Sequence, residues 1–261
     1  MRKKIWTILL TACVFLSGTV LGFSTVYRVE DVTVQVAYVT EEAKLQGDGL
    51  QIRLEEAYEG VCTFFAKKSV AEEVIKEYPY FRISGFKKSY PKRLVFEVTE
   101  NAEVYAIEKT VGAEYYVLSY DGVVLDIRDS HINPLSNEEN VVLKGLTVSV
   151  TRGEKPLGDP YFMPMLSVCQ HLSEGLNGIR ANIQSIELIR RMPETIFAIS
   201  TREGVKIYLN NPNVLTAEKV TAALNKYLSL SDEQKLTGRI LLFENSGEIF
   251  SNYSAVDEFA G

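Results

Sequence analysis

Any chemistry in this chain of 261 residues has to be sought first among its two histidines, three cysteines and paired carboxylates. His131 and His171 are the general acid–base candidates, because imidazole ordinarily titrates near neutrality. Neither stands at a metal-ligand spacing from a cysteine or from the other histidine, and there is no nucleophile elbow, phosphate loop or dinucleotide fingerprint. A Ser-His-Asp arrangement assembled only in space leaves no trace in spacing. A membrane-anchored cell-envelope enzyme, such as a wall-polymer hydrolase using His131 or His171, is therefore the enzymatic alternative, against the plainer reading that both are unpatterned surface or core residues. Glu72-Glu73 and Glu138-Glu139 are adjacent carboxylates, but neighbours on a helix face apart, and they read as solvated charges or caps. The expectation is a chain without cofactor or metal that binds or scaffolds rather than catalyses. Asn252-Tyr253-Ser254 is formally a glycosylation acceptor and by itself signifies nothing.

Cys62 and Cys169 leave room for one bridge but not for a disulfide framework, and free cysteine is commonly a small apolar core residue. The third, Cys13, lies in a long apolar run. From Ile5 to Tyr27 there is no Asp, Glu, Lys or Arg. At about 1.5 Å per residue that run can cross a hydrocarbon core of roughly 30 Å as a helix, carried by residues such as Ile5, Trp6, Phe15, Leu21 and Phe23. Arg2, Lys3 and Lys4 precede it, and basic flanks stay in the cytoplasm. A single-pass type II topology follows, with the bulk of the chain outside the cell membrane. A cleaved signal would have a shorter apolar stretch. Leu10-Thr11-Ala12-Cys13 also resembles a lipoprotein signal, but a lipoprotein would turn polar after the cysteine, and this run continues.

What must be positioned outside is acidic: the whole chain carries −6, and its only charges before Tyr27 are basic. That argues against nucleic acid, which needs a basic footprint, and against docking on an anionic lipid surface. The exterior is long enough for one large or two smaller domains with real cores.

The elements read as follows. Val32, Val34, Val36 and Tyr38 alternate with Thr33, Gln35 and Ala37, a half-buried strand. Leu50, Leu54 and Ala57 suggest a short helix after a break at Gly47-Asp48-Gly49. Ser69-Val70-Ala71-Glu72 has the form of a capping box, opening a helix with Val70, Val74, Ile75 and Tyr78 inward and Pro79 as its stop. Strands follow at Phe81 to Phe86 and Arg93 to Thr99, with Tyr90-Pro91 between them and Leu94, Phe96 and Val98 on one face.

Beyond residue 100 the pattern is mostly β. Tyr115 to Leu118 and Val123 to Ile127 flank Asp121-Gly122, a tight-turn signal, and Thr195 to Ser200 pairs with Val205 to Leu209 across Arg202-Glu203-Gly204. A last pair is expected at Arg239 to Phe243 and Glu248 to Phe250. One helix runs from about Pro164 to Ser173 with Leu166, Cys169 and Leu172 inward. Another sets Val220, Ala223, Leu224, Tyr227 and Leu228 at i, i+3, i+4, i+7 and i+8.

This order of parts resembles the FtsQ/DivIB family of bacterial cell-division proteins. The residues carrying the likeness are Tyr27-Arg28-Val29-Glu30-Asp31-Val32-Thr33-Val34, Phe64-Phe65, Glu77-Tyr78-Pro79-Tyr80-Phe81-Arg82-Ile83, and Tyr90-Pro91 through Glu100. Asn101 to Ala106 follows with Glu103 where proline is common in the family. Tyr120 to Leu125, Leu143-Lys144-Gly145, Thr201 to Leu209 and Gly238 to Phe243 fit more loosely. Asn210 replaces a usual glycine, and the family's Asp and Arg are absent from the last stretch.

The resemblance implies an α+β chain: a cytoplasmic head at 1–4, a transmembrane helix at 5–27, a POTRA-like domain at 28–100 and a β-rich domain at 101–250. That last domain would hold an antiparallel sheet with flanking helices, before a flexible tail at 251–261. It also implies a non-enzymatic divisome scaffold at the division septum that binds FtsB/DivIC-like and FtsL-like membrane proteins and helps control septal peptidoglycan synthesis. A surface-binding protein unrelated to division is the third reading. The partner site is expected on the last regular strand, Arg239, Ile240, Leu241, Leu242 and Phe243, as an open sheet edge. Val205, Ile207 and Leu209 would lie in the strand beneath it.

Overall fold

The structure, a computed structural model, describes residues 22, 25–38, 40–109, 114–191, 194–245 and 247–256. Most of the expected span, including Ile5, Trp6, Phe15, Leu21 and Phe23, lies outside the described residues. Among those described, no helix is long and apolar enough to cross a membrane. The chain is α+β and divides into two compact units between Glu100 and Asn101.

The first unit runs β1 (Asp31–Val36), α1 (Glu41–Tyr58), α2 (Lys68–Val74), β2 (Phe81–Ser89) and β3 (Arg93–Glu100), with the sheet ordered β1-β3-β2. β1 joins β3 in parallel and β2 joins β3 antiparallel. Its core sets Leu94, Phe96 and Val98 of β3 against Leu50 and Leu54 of α1.

Two local expectations are corrected. The glycines read as a break lie inside α1, because the Tyr38 ring packs on the helix at Gly47, where an added Cβ would fall 1.9 Å from the tyrosine hydroxyl. Thr40 supplies the cap instead, accepting from the Ala43 amide at 3.4 Å and donating to Glu100 at 2.5 Å. The capping box at Ser69 also fails: Ser69 is inside α2, whose first turn is capped by no side chain of its own. The buried Tyr58 hydroxyl takes that place, donating to the Lys67 carbonyl at 2.5 Å and accepting from the Ala71 amide at 3.2 Å. Ala71 therefore turns inward and Val70 outward.

The second unit holds β4 (Glu103–Glu108), β5 (Tyr115–Ser119), β6 (Val124–Arg128), β7 (Val141–Lys144), α3 (Phe162–Gly175), β8 (Ile183–Arg191), β9 (Glu194–Thr201), β10 (Lys206–Asn210), α4 (Thr216–Leu228), a short α5 (Asp232–Lys235), β11 (Arg239–Asn245) and β12 (Glu248–Ser254). The nine strands form one sheet in the order β12-β11-β10-β9-β8-β7-β4-β5-β6.

The sheet is mixed, not antiparallel as expected: β4–β7, β7–β8 and β10–β11 are parallel pairs. The reason is connectivity. A helix between two adjacent strands returns the chain to its starting end, and α3 and α4 do this between β7 and β8 and between β10 and β11. Phe162, Met165, Leu166, Cys169 and Leu172 of α3 and Val220, Ala223, Leu224 and Tyr227 of α4 enter one continuous core with the sheet. Leu228, expected on that stripe, is 57% exposed, and Lys219 is buried instead.

Candidate functional site

The expected docking strand is not an edge. β11 is hydrogen-bonded on both sides, in parallel to β10 through Arg239 to Leu242 and antiparallel to β12 through Arg239 to Asn245. Arg239, Ile240, Leu241 and Leu242 are thus paired on both sides and Phe243 is paired to β12, while Ile207 and Leu209 of β10 and Val205 just before it are buried inside the sheet. The sequence placed Ser251 to Ser254 in a tail, whereas β12 continues through Ser254 and forms the outermost strand.

The two edges of the large sheet differ. At β6 the 151–154 turn covers the first two residues of the strand: the Val124 amide donates to the Glu154 carbonyl at 2.9 Å, the Gly153 amide donates to Val124 at 2.8 Å, and Arg152 Nε donates to Leu125 at 2.9 Å. Among the described residues no strand pairs with the outer side of β12. In an antiparallel ladder alternate residues aim N–H and C=O to opposite sides, so every second residue of β12 presents a donor and an acceptor outward.

Local chemistry holds this hairpin in place. Ile249 and Tyr253 lie against the core, and the Tyr253 hydroxyl stands 3.2 Å from both the Gln234 and Thr237 carbonyls. Gly238, at φ +93°, leads into β11. A Cβ there would sit 2.4 Å from the Ser254 carbonyl oxygen, so only glycine lets the end of β12 come this close. On the face opposite the helices, Phe243 and Phe250 stack at 5.5 Å and are 42% and 41% exposed. That pair extends a small apolar strip formed by Ile196, Ala198, Tyr208 and Leu241.

Lys219 buttresses the strand beneath. Its Nζ donates to the carbonyls of Asn210 and Asn211, at 3.0 and 3.1 Å, and lies 3.5 Å from Glu244 of β11. It was missed because a lysine interrupts the apolar stripe of a helix; the only sequence signal is its place one residue before Val220.

The acid–base candidates are not assembled into a constellation. His131 stands beside the Tyr115 ring at 5.3 Å, and His171 faces Glu174 at 3.8 Å. Among the described residues neither imidazole is hydrogen-bonded to a serine or cysteine, and no group of three His, Cys, Asp or Glu is placed to hold a metal. Cys62 and Cys169 are unpaired and lie in different units, and burial pushes the Cys169 thiol far up.

Glu138 and Glu139, read as solvated, each meet an arginine at 2.6 Å, Arg180 and Arg202 respectively. The hydrogen bond and charge of Arg202 hold the Glu139 carboxyl below its ordinary range. Nearby, buried Glu103 accepts two bonds from Arg128, at 3.0 and 2.6 Å, and one from Asn140 at 3.1 Å. Among the described residues of this cluster, Arg128, Arg180 and Arg202 each meet a carboxylate. Comparison with protein-family models finds no match, and comparison with curated proteins finds none either.

Proposed function

We propose that the chain is a membrane-anchored, non-enzymatic scaffold of the bacterial divisome of the FtsQ/DivIB type, with a POTRA-like first unit. It binds FtsB/DivIC-like and FtsL-like single-span proteins outside the cell membrane and helps set when septal peptidoglycan synthesis is switched on. The observation that carries this reading is the outer side of β12, which no strand pairs among the described residues, at the end of a sheet whose other edge strand is covered at its start.

A partner segment adding there as a further strand takes affinity from backbone hydrogen bonds and specificity from the side chains that flank them. Phe250, stacked on Phe243, offers the incoming strand an aromatic contact on one face of the sheet. On the other face Ile249 and Tyr253 are already engaged with the core.

The anchor is the uncharged run from Ile5 to Tyr27 with its basic head. A reporter active only in the cytoplasm, fused after Gly261, should be inactive. A fluorescent fusion that retains the anchor should concentrate at the division septum, and an even distribution over the envelope would contradict a divisome role.

A further inference from the structure

Tyr27, the last residue of the uncharged run, is tied down by its neighbours. Its carbonyl accepts from the Thr63 amide at 2.7 Å and from the Thr63 hydroxyl at 2.9 Å, and that hydroxyl also stands 2.7 Å from the Pro91 carbonyl. Thr63 is fully buried. One side chain thus fastens the exit of the proposed anchor to the turn around Phe64 and to the β2–β3 connection around Tyr90.

The rings follow the backbone. Phe64 lies 4.7 Å from Tyr27 and 4.7 Å from Tyr90. Yet Phe64 remains 43% exposed, Tyr90 52% and Phe65 77%. Lys88 donates to the Phe64 carbonyl at 2.7 Å, and Arg28 and Lys67 follow Tyr27 and Phe65 in the chain by one and two residues. Among the described residues none of these three cations forms an ion pair, whereas Lys87, Lys92 and Arg93 of the same region are each matched to a carboxylate.

We infer that Phe64, Phe65 and Tyr90, rimmed by Arg28, Lys67 and Lys88, rest in the headgroup region of the anionic bilayer that the anchor crosses. The first unit is thereby held against the outer leaflet instead of swinging on a free tether. This rests on the proposed anchor.

Aromatic side chains favour the membrane–water interface, where an apolar ring and a polar tip are both satisfied, and unpaired basic residues are drawn to anionic headgroups. The position selects lipid over protein as the occupant. A cluster in ring contact with the residue that ends the span has no room for another domain between itself and the membrane. The acidic balance that argued against anionic lipid from the sequence does not govern this patch, because beyond about 10 Å exposed charges are largely screened at ordinary salt.

The test uses the full chain in vesicles of phosphatidylglycerol and phosphatidylcholine. Trp6→Phe removes the single tryptophan, and a reporter is placed by Phe65→Trp or, for comparison, by Leu45→Trp. Leu45 is 75% exposed and lies early in α1, near Thr40, which is hydrogen-bonded to the last residue of β3; the aromatic cluster lies by the first. An eight-residue strand separates those ends by roughly 23 Å.

Lipids brominated near the glycerol should quench Phe65→Trp several-fold more than Leu45→Trp, and the Phe65→Trp emission should be the bluer. Aqueous iodide should show the reverse order. Adding Lys67→Glu and Lys88→Glu, or omitting phosphatidylglycerol, should reduce the lipid quenching of Phe65→Trp. Incorporated protein whose two reporters behave alike would overturn the inference and leave the anchor standing. Lipid quenching that ignores both charge changes would overturn the anionic part. Protein that does not enter vesicles at all would overturn the anchor and the inference together.

Discussion

Replacing Lys219 by methionine sets two opposed effects against each other, and the structure decides between them. The lysine is 1% exposed, with charge-assisted bonds to the Asn210 and Asn211 carbonyls. Removing the ammonium also removes its desolvation cost, and a buried ion can be exchanged for an apolar isostere at little net loss when its partners leave with it. Here they do not leave: two are backbone carbonyls, and the third, the Glu244 carboxylate at 3.5 Å, is partly open to solvent. Asn211 keeps a second donor, the Val214 amide at 3.1 Å, so about one charge-assisted bond goes uncompensated.

Methionine preserves most of the packing of the stem. The expected loss is about 2 kcal/mol, or roughly 30-fold in the opening equilibrium of the second unit. Lys219→Ala deletes about three methylenes besides, for a total of about 4 kcal/mol. Hydrogen exchange of the full chain in detergent, followed against urea on amides of β10 and α4, reads this directly. A Lys219→Met protein as protected as wild type would refute the reasoning, and equal losses for methionine and alanine would refute the separation of stem from charge.

Three further outcomes are expected. Phe96 is fully buried against Tyr58 and Phe86, so Phe96→Asp should destabilise the first unit by roughly 4 kcal/mol or more. Val74→Asp should cost less, because Val74 is only half-buried; wild-type urea unfolding of Phe96→Asp would refute the register of β3. Burial, the largest influence on Asp159, raises its pKa, but the amides of Thr147 and Tyr161 and the Arg190 guanidinium together outweigh it and hold the carboxyl below its ordinary value. A depressed folded pKa contributes stability above the unfolded value of about 4 and loses it as pH falls through the lower folded one. Asp159→Asn should therefore be less stable than wild type by about 2 kcal/mol at pH 7, with the gap narrowing below about pH 4. A gap independent of pH would contradict this.

The first unit was readable because its core obeys simple periods: Leu94, Phe96 and Val98 alternate in β3, and Leu50 and Leu54 stand one helical turn apart in α1. What failed there depended on tertiary contacts. Tyr38 over Gly47 and Tyr58 at the start of α2 replace local signals with side chains from elsewhere in the chain.

In the second unit β4 and β8 were not read as strands. Tyr105, Ala106 and Ile107 are consecutively buried in β4, and buried strands lose the alternation that betrays exposed ones. The candidate edge was placed one strand too early because β12 sets Glu248, Phe250 and Asn252 against Ile249, Ser251 and Tyr253. That is too weak an apolar contrast to carry the expected strand past Phe250 to Ser254, so β12 was read as a short partner and β11 was taken as the last regular strand.

Strand addition at β12 is tested most directly by hydrogen exchange of the full chain, alone and saturated with a DivIC-like ectodomain. Added backbone bonds should slow exchange of alternate amides in β12, from Glu248 to Ser254, while amides of the opposite edge at β6 stay as they were. Binding that leaves β12 exchange unchanged and protects residues of the first unit instead would contradict it, as would the absence of binding.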